Sequence, residues 1–217
     1  MPAKKAVKKP ASRKPQKTEA IQIVKGHLKI NPGKPVRVIS TETVYKGPLF
    51  RVDKERIDEP GCPNVVRDIV RHGGSVVILA IDDSKKRDPL VILERQYRRA
   101  AAQFLYEVPA GKIDPGEERL TAAKRELAEE TGFRARKWKQ LARYYASPGF
   151  LAEWMQIYLA EGLTPGDTSP DEDERIELFF VPLSELLRLI DSGKIHDAKT
   201  IIAATLYARL RAKSGKR

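Results

Sequence analysis

Residues 111–133, with the sequence GKIDPGEERLTAAKRELAEETGF, constrain the fold of this chain more than any other segment. Pro115 and Gly116 predict a turn, because these residue types interrupt regular structure. The residues that follow are strong helix formers and continue for about four turns. Gly132 stands where a helix would end, since a residue without a Cβ adopts the left-handed C-cap conformation at little cost. The segment therefore predicts a turn, a helix and a helix stop.

The predicted helix carries acidic side chains beside an apolar stripe. The stripe consists of Leu120, Ala123 and Leu127. Glu126 and Glu130 lie four residues apart along its edge, with Glu129 close by, and like charges at this spacing repel each other. A hard cation with oxygen ligands would offset that repulsion. Arg125 lies among the glutamates and is able to steady one carboxylate as an ion pair. The simpler alternative is a solvated helix rich in Glu, Lys and Arg.

Composition limits the class of protein. The 217 residues provide for one sizeable core with a small appended piece. No run of residues approaches the roughly 18 apolar positions of a membrane span. The chain has one cysteine, Cys62, which has no partner for an internal disulfide, so nothing indicates export. We therefore expect a cytoplasmic protein without membrane contact.

The net charge of +12 is spread unevenly along the chain. Residues 1–18 hold seven basic residues and no acidic one, without hydrophobic periodicity. We interpret residues 1–35 as a disordered basic tail and linker, and residues 211–217 as a basic C-terminal tail. Such tails can contact nucleic acid through its phosphates, although a merely solvating extension is the favoured interpretation.

The residue pattern of the rest of the chain predicts several strands and few helices. Short strands at 36–39 and 43–45 open a small β subdomain over residues 36–72. Residues 73–210 form the main domain, where residues 75–81 are a nearly continuous apolar run, typical of a strand buried on both faces. Helical periodicity follows at 183–190 and 198–210. This order predicts an α/β (α+β) fold in which a mixed sheet lies between helical layers.

The turn and helix also match a longer pattern, position for position. The pattern is G-x5-E-x7-R-E-U-x-E-E-x-G-U, where U is aliphatic or aromatic. The matching residues are Gly111, Glu117, Arg125, Glu126, Leu127, Glu129, Glu130, Gly132 and Phe133. This is the Nudix box, and the chain resembles a Nudix hydrolase. The resemblance implies a Nudix-type α/β/α sandwich with a mixed sheet, preceded by a small N-terminal β-piece.

Outside the box, the chain resembles the ADP-ribose pyrophosphatase branch of the family. The resemblance rests on residues 106–113, on Pro148 sixteen residues after Gly132, and on residues 193–200. It implies metal-dependent hydrolysis of the pyrophosphate bond of ADP-ribose to AMP and ribose 5-phosphate. The implied cofactor is Mg²⁺, with Mn²⁺ as a substitute. It further implies a homodimer in which the N-terminal β-piece, here residues 36–72, is exchanged between partners.

The same resemblance implies roles for individual residues. The implied metal ligands are Glu126, Glu130, Glu129 and the carbonyl of Ala110. The implied catalytic residues are Glu172, Glu129 and Arg125. Glu172 would be the general base in the acidic loop after the box, and its neighbour Glu174 stays open as the alternative.

Four further residues are implied to bind substrate. They are Arg98, Glu107, Pro148 and Gly149. For Arg98 the alternative is an ordinary surface cation. For Glu107 two roles remain open, contact with the substrate and shaping of the pocket.

Two other functions compete with ADP-ribose hydrolysis. The nearer one is a Nudix hydrolase of another nucleoside diphosphate sugar, such as GDP-mannose or ADP-glucose. The more distant one is an RNA-associated binding module, with contacts made by the basic tails. All box carboxylates are present and the charge lies in the tails, which argues against a binding module.

Overall fold

The computed structural model describes Gly26, Gly33 and residues 35–59, 61–166 and 176–214. The predicted tail of residues 1–18 and the acidic pair Glu172 and Glu174 lie outside the described residues. The chain divides into two compact units. One comprises Met1–Thr41 and Glu55–Arg67, and the other comprises Glu42–Lys54 and Asp68–Arg217.

A three-stranded sheet comes first in the chain. Its strands are β1 (Arg37–Lys46), β2 (Arg51–Glu59) and β3 (Cys62–Arg71), paired in the order β1-β2-β3. The two short strands expected at 36–39 and 43–45 are one continuous strand, β1. Within the smaller unit, Arg67 donates two hydrogen bonds to the Glu59 carboxylate, at 3.0 and 2.8 Å.

A seven-stranded mixed sheet forms the framework of the larger unit. Its strands are β4 (Ser75–Asp82), β5 (Leu90–Arg98), β6 (Gln103–Glu107), β7 (Ala110–Lys112), β8 (Phe133–Tyr145), β9 (Trp154–Pro165) and β10 (Glu177–Pro182). The main order is β10-β5-β4-β9-β8, with β6 paired to β5 and β7 paired to β4. Strands β4 and β9 run parallel, whereas the other pairs are antiparallel. The prediction of a mixed sheet is confirmed.

Helices cover both faces of this sheet. They are α1 (Arg119–Thr131), α2 (Leu183–Asp191) and α3 (Ala198–Ser214). Side chains of β4 alternate between two cores. One core joins Val77, Leu79 and Ile81 to apolar residues of α2 and α3. The other joins Val76, Ile78 and Ala80 to Ala122, Ala123 and Leu127 of α1. This double burial explains the continuous apolar run, and the α/β/α arrangement is confirmed.

Helix α1 begins and ends where the local sequence indicates. The Glu118 carboxylate accepts hydrogen bonds from the N–H groups of Leu120 and Thr121, at 2.8 and 3.1 Å, so it caps the N-terminus. Gly132 ends the helix in the left-handed conformation, with φ of 72°. The predicted turn, helix and stop are therefore correct. Within the described ranges, none of the helices has the length and apolar character needed to cross a bilayer.

Candidate functional site

An open cleft of about 640 Å³ lies at the ends of the central strands of the larger unit. Its wall includes Arg98 at the end of β5, Ala110 and Gly111 on β7, and Glu126 and Glu130 on α1. The structure therefore brings together five of the residues picked out by the sequence, although up to 32 positions separate them along the chain.

The two box carboxylates in the cleft are buried against strand β7. Glu126 and Glu130 are only 8% and 7% exposed. The N–H of Ala110 donates to Oε2 of Glu130 at 3.1 Å. A Cβ added at Gly111 would stand 1.9 Å from Cδ of Glu126, which is far inside contact distance. Any side chain at position 111 would therefore displace the Glu126 carboxylate from the place it occupies beside the backbone.

Arg125 holds the acidic residues of the box in place. It donates five hydrogen bonds: two to the carboxylate of Glu117, one each to Glu126 and Glu129, and one to the carbonyl of Lys112, all between 2.9 and 3.1 Å. These bonds account for all five N–H groups of a guanidinium. Hydrogen bonding to Glu117 raises the pKa of Arg125 above its ordinary value, and the same bonds lower the pKa of Glu117. Arg125 therefore stays charged and fully engaged.

The donor set of the cleft suits a hard divalent cation. Glu126 and Glu130 supply buried carboxylate oxygens, and burying two like charges is costly unless a cation accompanies them. Glu129 is more exposed, at 39% of its side chain. In the part of the chain that the structure describes, no three Asp, Glu, His or Cys side chains form a ready-made metal cluster. A cation here would thus also need backbone, water or substrate oxygens, as Mg²⁺ commonly does.

A second ion pair lies across the cleft from α1. Arg98 donates from Nε and Nη2 to the two oxygens of Glu107, at 2.9 and 2.8 Å. The Arg98 side chain is 41% exposed, whereas that of Glu107 is 3% exposed. No other hydrogen bond of this guanidinium is found among the described residues. Three of its five N–H groups are therefore available to a ligand.

The charge of Glu107 is maintained by its two cationic neighbours. Burial by itself would raise the pKa of this carboxyl, but the Arg98 hydrogen bonds and the Lys199 charge bring it below its ordinary value. Hydrogen bonding to Glu107 likewise raises the pKa of Arg98. Both groups therefore carry full charge at neutral pH.

Three residues at the start of α3 belong to this side of the cleft and were missed by the sequence reasoning. Lys199 contacts Oε2 of Glu107 and lies 3.0 Å from Oδ1 of Asp197. The other oxygen of Asp197 accepts from the N–H of Thr200 at 2.9 Å. These residues fall in the 193–200 segment used for the resemblance. Nothing in their spacing indicates that they reach a glutamate about ninety positions earlier.

A second missed group also belongs to the wall of the cleft. Ser75 Oγ donates to Oε1 of Glu153 at 2.8 Å, and His72 Nδ1 lies 3.6 Å from the same oxygen. The N–H of Gly74 donates to His72 Nδ1 at 3.1 Å. All of these except Gly74 line the cleft. His72, Gly74 and Ser75 lie within four residues of one another, but Glu153 comes 78 positions after Ser75, so no sequence spacing links it to them.

Two of the predicted substrate-binding residues lie elsewhere. Pro148 and Gly149 are exposed in a turn closed by hydrogen bonds to the Ser147 carbonyl, at 2.9 and 3.3 Å. Neither lines the cleft in the described part of the chain. Their substrate contact stays a prediction, as does the general-base role of Glu172.

Comparison with known proteins places this geometry in a family. The profile described as "NUDIX domain" matches residues 71–203. The ADP-ribose pyrophosphatase of Bacillus subtilis is 36% identical over 169 residues, which are 77% of this chain and 89% of that protein. The methanol dehydrogenase activator of Bacillus methanolicus is 34% identical with the same coverage. A crystal structure of an ADP compounds hydrolase aligns with a TM-score of 0.70 and 26% identity, and covers 87% of this chain and 100% of that one.

Proposed function

This chain belongs to the Nudix family, and from that premise we propose that it hydrolyses the pyrophosphate bond of ADP-ribose to AMP and ribose 5-phosphate. The observation that carries the proposal is the cleft itself, in which buried carboxylates stand on one side and, on the other, an arginine with three N–H groups that bond to none of the described residues. The names of two similar proteins, an ADP-ribose pyrophosphatase and an ADP compounds hydrolase, support the same substrate class.

The acidic side of the cleft would hold the divalent cation. We assign Glu126, Glu130, Glu129 and the carbonyl of Ala110 as its ligands, and Mg²⁺ as the metal, with Mn²⁺ as a substitute. When bound, the cation would neutralise the charge of the diphosphate and activate the attacking water. Because Gly111 has no side chain, the Glu126 carboxylate has room beside β7, where it can serve as a metal ligand.

The basic side of the cleft would bind the diphosphate. Arg98 is held by Glu107 through one edge of its guanidinium, and its remaining N–H groups are available to donate to phosphate oxygens. Arginine–phosphate pairs are charge-assisted and geometrically specific. Of the two roles left open for Glu107, this geometry supports shaping of the pocket, because its carboxylate is already shared between cations.

The remaining roles concern proton transfer and orientation. Arg125 has no N–H left for a substrate, so we propose that it acts by positioning the box carboxylates. Water attacks one phosphorus, the bond to the bridging oxygen breaks, and a carboxylate takes the proton of the water. We propose Glu172 as that base, with Glu174 as the alternative.

Assembly and location are parts of the same proposal. We propose a homodimer in which residues 36–72 are exchanged. It is supported by the exposed apolar side chains on β1, which are Val38, Ile39, Val44 and Tyr45. Sedimentation equilibrium checks the dimer directly.

We propose a cytoplasmic location because the single cysteine leaves no pair for the disulfides common in exported proteins.

A substrate panel tests the proposed function. ADP-ribose, ADP-glucose and GDP-mannose are incubated with the protein and Mg²⁺, Mn²⁺ or a chelator, and released AMP or GMP is quantified. We expect rapid AMP release from ADP-ribose that requires the metal. Preference for another sugar nucleotide would show that ADP-ribose is not the substrate, while the proposed pyrophosphate hydrolysis would stand. Absence of turnover on all three would overturn the enzyme assignment.

A further inference from the structure

We propose that Lys199 is a positioning residue for substrate binding: it fixes the Glu107 carboxylate, which in turn orients the Arg98 guanidinium toward the cleft. The inference rests on the proposed function, because it concerns how that site holds its anionic substrate. Lys199 belongs to α3, whereas Arg98 and Glu107 belong to the β5–β6 hairpin.

The first argument is the sharing of one buried carboxylate by two cations. Oε1 of Glu107 accepts from Arg98 Nε, while Oε2 accepts from both Arg98 Nη2 and Lys199 Nζ. The side chain of Lys199 is 10% exposed and that of Glu107 3%, against 41% for Arg98. The exposed, ligand-facing arginine is thus attached to a glutamate that is itself fixed from the buried side.

The second argument is that Lys199 is anchored independently of Arg98. Its Nζ lies 3.0 Å from Oδ1 of Asp197. Oδ2 of Asp197 accepts from the N–H and the hydroxyl of Thr200, at 2.9 and 2.5 Å. The Thr200 hydroxyl oxygen accepts in turn from the N–H of Val108 at 2.8 Å. The start of α3 is therefore tied to the end of β6 at two adjacent residues, Glu107 and Val108.

This arrangement indicates how Lys199 contributes to substrate binding. An arginine that pairs with a mobile glutamate must lose side-chain freedom when it binds a phosphate, and that loss opposes binding. With Glu107 held by Lys199, most of the ordering is complete before the substrate arrives. Residues that orient metal ligands from outside the coordination sphere are commonly worth about 10- to 100-fold in affinity or activity, and we expect an effect at the lower end of that range for Lys199. The effect should appear in substrate binding and leave the chemical step nearly unchanged.

The test begins with the substitution Lys199→Met, which removes the charge and keeps the length of the side chain. We expect KM for ADP-ribose to rise about tenfold with kcat changed less than about threefold. Lys199→Arg keeps a cationic donor and should recover part of the loss. Lys194→Met, at an exposed lysine five residues earlier, is the matched control and should behave as wild type.

A double-mutant cycle with Arg98→Gln separates positioning from direct contact. If Lys199 acts through Arg98, adding Lys199→Met to Arg98→Gln should change KM by less than about threefold. Calorimetric titration of ADP-ribose in chelator should show the same pattern in Kd. Additive effects would overturn the proposal in favour of direct contact between Lys199 and the substrate. A lower Tm with unchanged KM and Kd would overturn it in favour of a purely structural role.

Two provisions keep the test decisive. If Lys199→Met does not fold, Lys199→Gln, which retains a donor, takes its place in the same cycle. Wild-type protein that neither binds nor hydrolyses ADP-ribose would show that the proposed function fails. Wild-type protein that does both, with additive variants, would show that only the role of Lys199 fails.

Discussion

Arg98 in the wall of the cleft and Arg125 behind its acidic residues each make a two-bond ion pair with a glutamate, and they differ in how many of their other N–H groups are in use. Arg125 grips the Glu117 carboxylate with two N–H groups, as Arg98 grips that of Glu107. The other three N–H groups of Arg125 donate hydrogen bonds to protein oxygens. Arg98 has no further bond among the described residues. The count of unused donors, more than the ion pair, separates an arginine that organises a site from one that can bind a ligand.

The surroundings of the two arginines differ in their balance of charge. Around α1, one cation lies among three carboxylates, so the group being held in place is acidic. At the start of α3, the carboxylates of Glu107 and Asp197 are balanced by Arg98 and Lys199, and the most exposed of these four side chains is the cation Arg98. The acidic side suits a metal ion and the basic side suits a phosphate. Substitutions on the two sides should therefore change different kinetic quantities.

The largest effect is expected on the acidic side, from Glu126→Gln. Loss of one buried ligand charge should lower kcat for ADP-ribose by about 10³-fold or more, because metal-assisted charge stabilisation contributes several kcal/mol. Steady-state AMP release measures the change, and circular dichroism checks the fold. Glu185→Gln, at a half-exposed glutamate of α2 that does not line the cleft, is the control and should retain full activity. Near-normal turnover by Glu126→Gln would show that Glu126 is not a metal ligand.

A smaller effect on the same side is expected from Arg125→Lys. A lysine donates at most three hydrogen bonds in place of five and lacks the planar fork that binds both oxygens of Glu117, so it would hold the acidic cluster less firmly. We expect kcat to fall about 10- to 100-fold and the metal concentration for half-maximal activity to rise. KM for ADP-ribose at saturating metal should change little. If the metal midpoint is unchanged and KM rises instead, Arg125 acts on the substrate and the contrast between the two sides is wrong.

On the basic side, Arg98→Lys should raise KM for ADP-ribose about tenfold without moving the metal midpoint. The lysine keeps the charge but loses the planar fork that binds Glu107 and phosphate at once. Metal titrations at several ADP-ribose concentrations measure both quantities in one experiment. A shift of the metal midpoint by this variant would show that the two sides are not separable.

The smallest effect is a pH dependence of stability carried by Glu107. Its pKa in the folded protein is lowered, so it contributes stability above its unfolded pKa of about 4.3 and loses that contribution as pH falls through the folded value. The difference in unfolding free energy between wild type and Glu107→Gln should therefore shrink as pH falls below about 4.3. Urea unfolding between pH 7 and pH 3 measures it. A difference independent of pH would mean that packing, and not charge, makes Glu107 stabilising.

Local signals explain why much of the fold could be predicted from the sequence. The bounds of α1 follow from a carboxylate cap and a C-terminal glycine within the same fifteen residues, so no distant contact is needed to place them. The apolar run of β4 likewise reflects burial between two helical layers. Strand β7 was not predicted, because three residues after a proline carry no periodicity and pair only through β4.

The candidate site also contains some residues whose proximity the sequence predicts and others whose proximity it does not. Glu126 and Glu130 lie four residues apart on one helix, so their proximity follows from helical geometry alone. The Lys199–Glu107 pair joins residues 92 positions apart, and Ser75 reaches Glu153 across 78. Such contacts depend on how α3 and β9 pack against β4, which no spacing in the sequence expresses.

The close approach of Glu126 to Gly111 also has a consequence for how this protein tolerates variation. An alanine at position 111 would displace the Glu126 carboxylate, so it should be lost early from any pool of variants selected for turnover. Gly149 has open space around it and an ordinary backbone conformation, so an alanine there should persist. Two glycines that the family resemblance singles out would then show opposite mutability, and sequencing of the surviving pool would show which of them is needed for steric reasons.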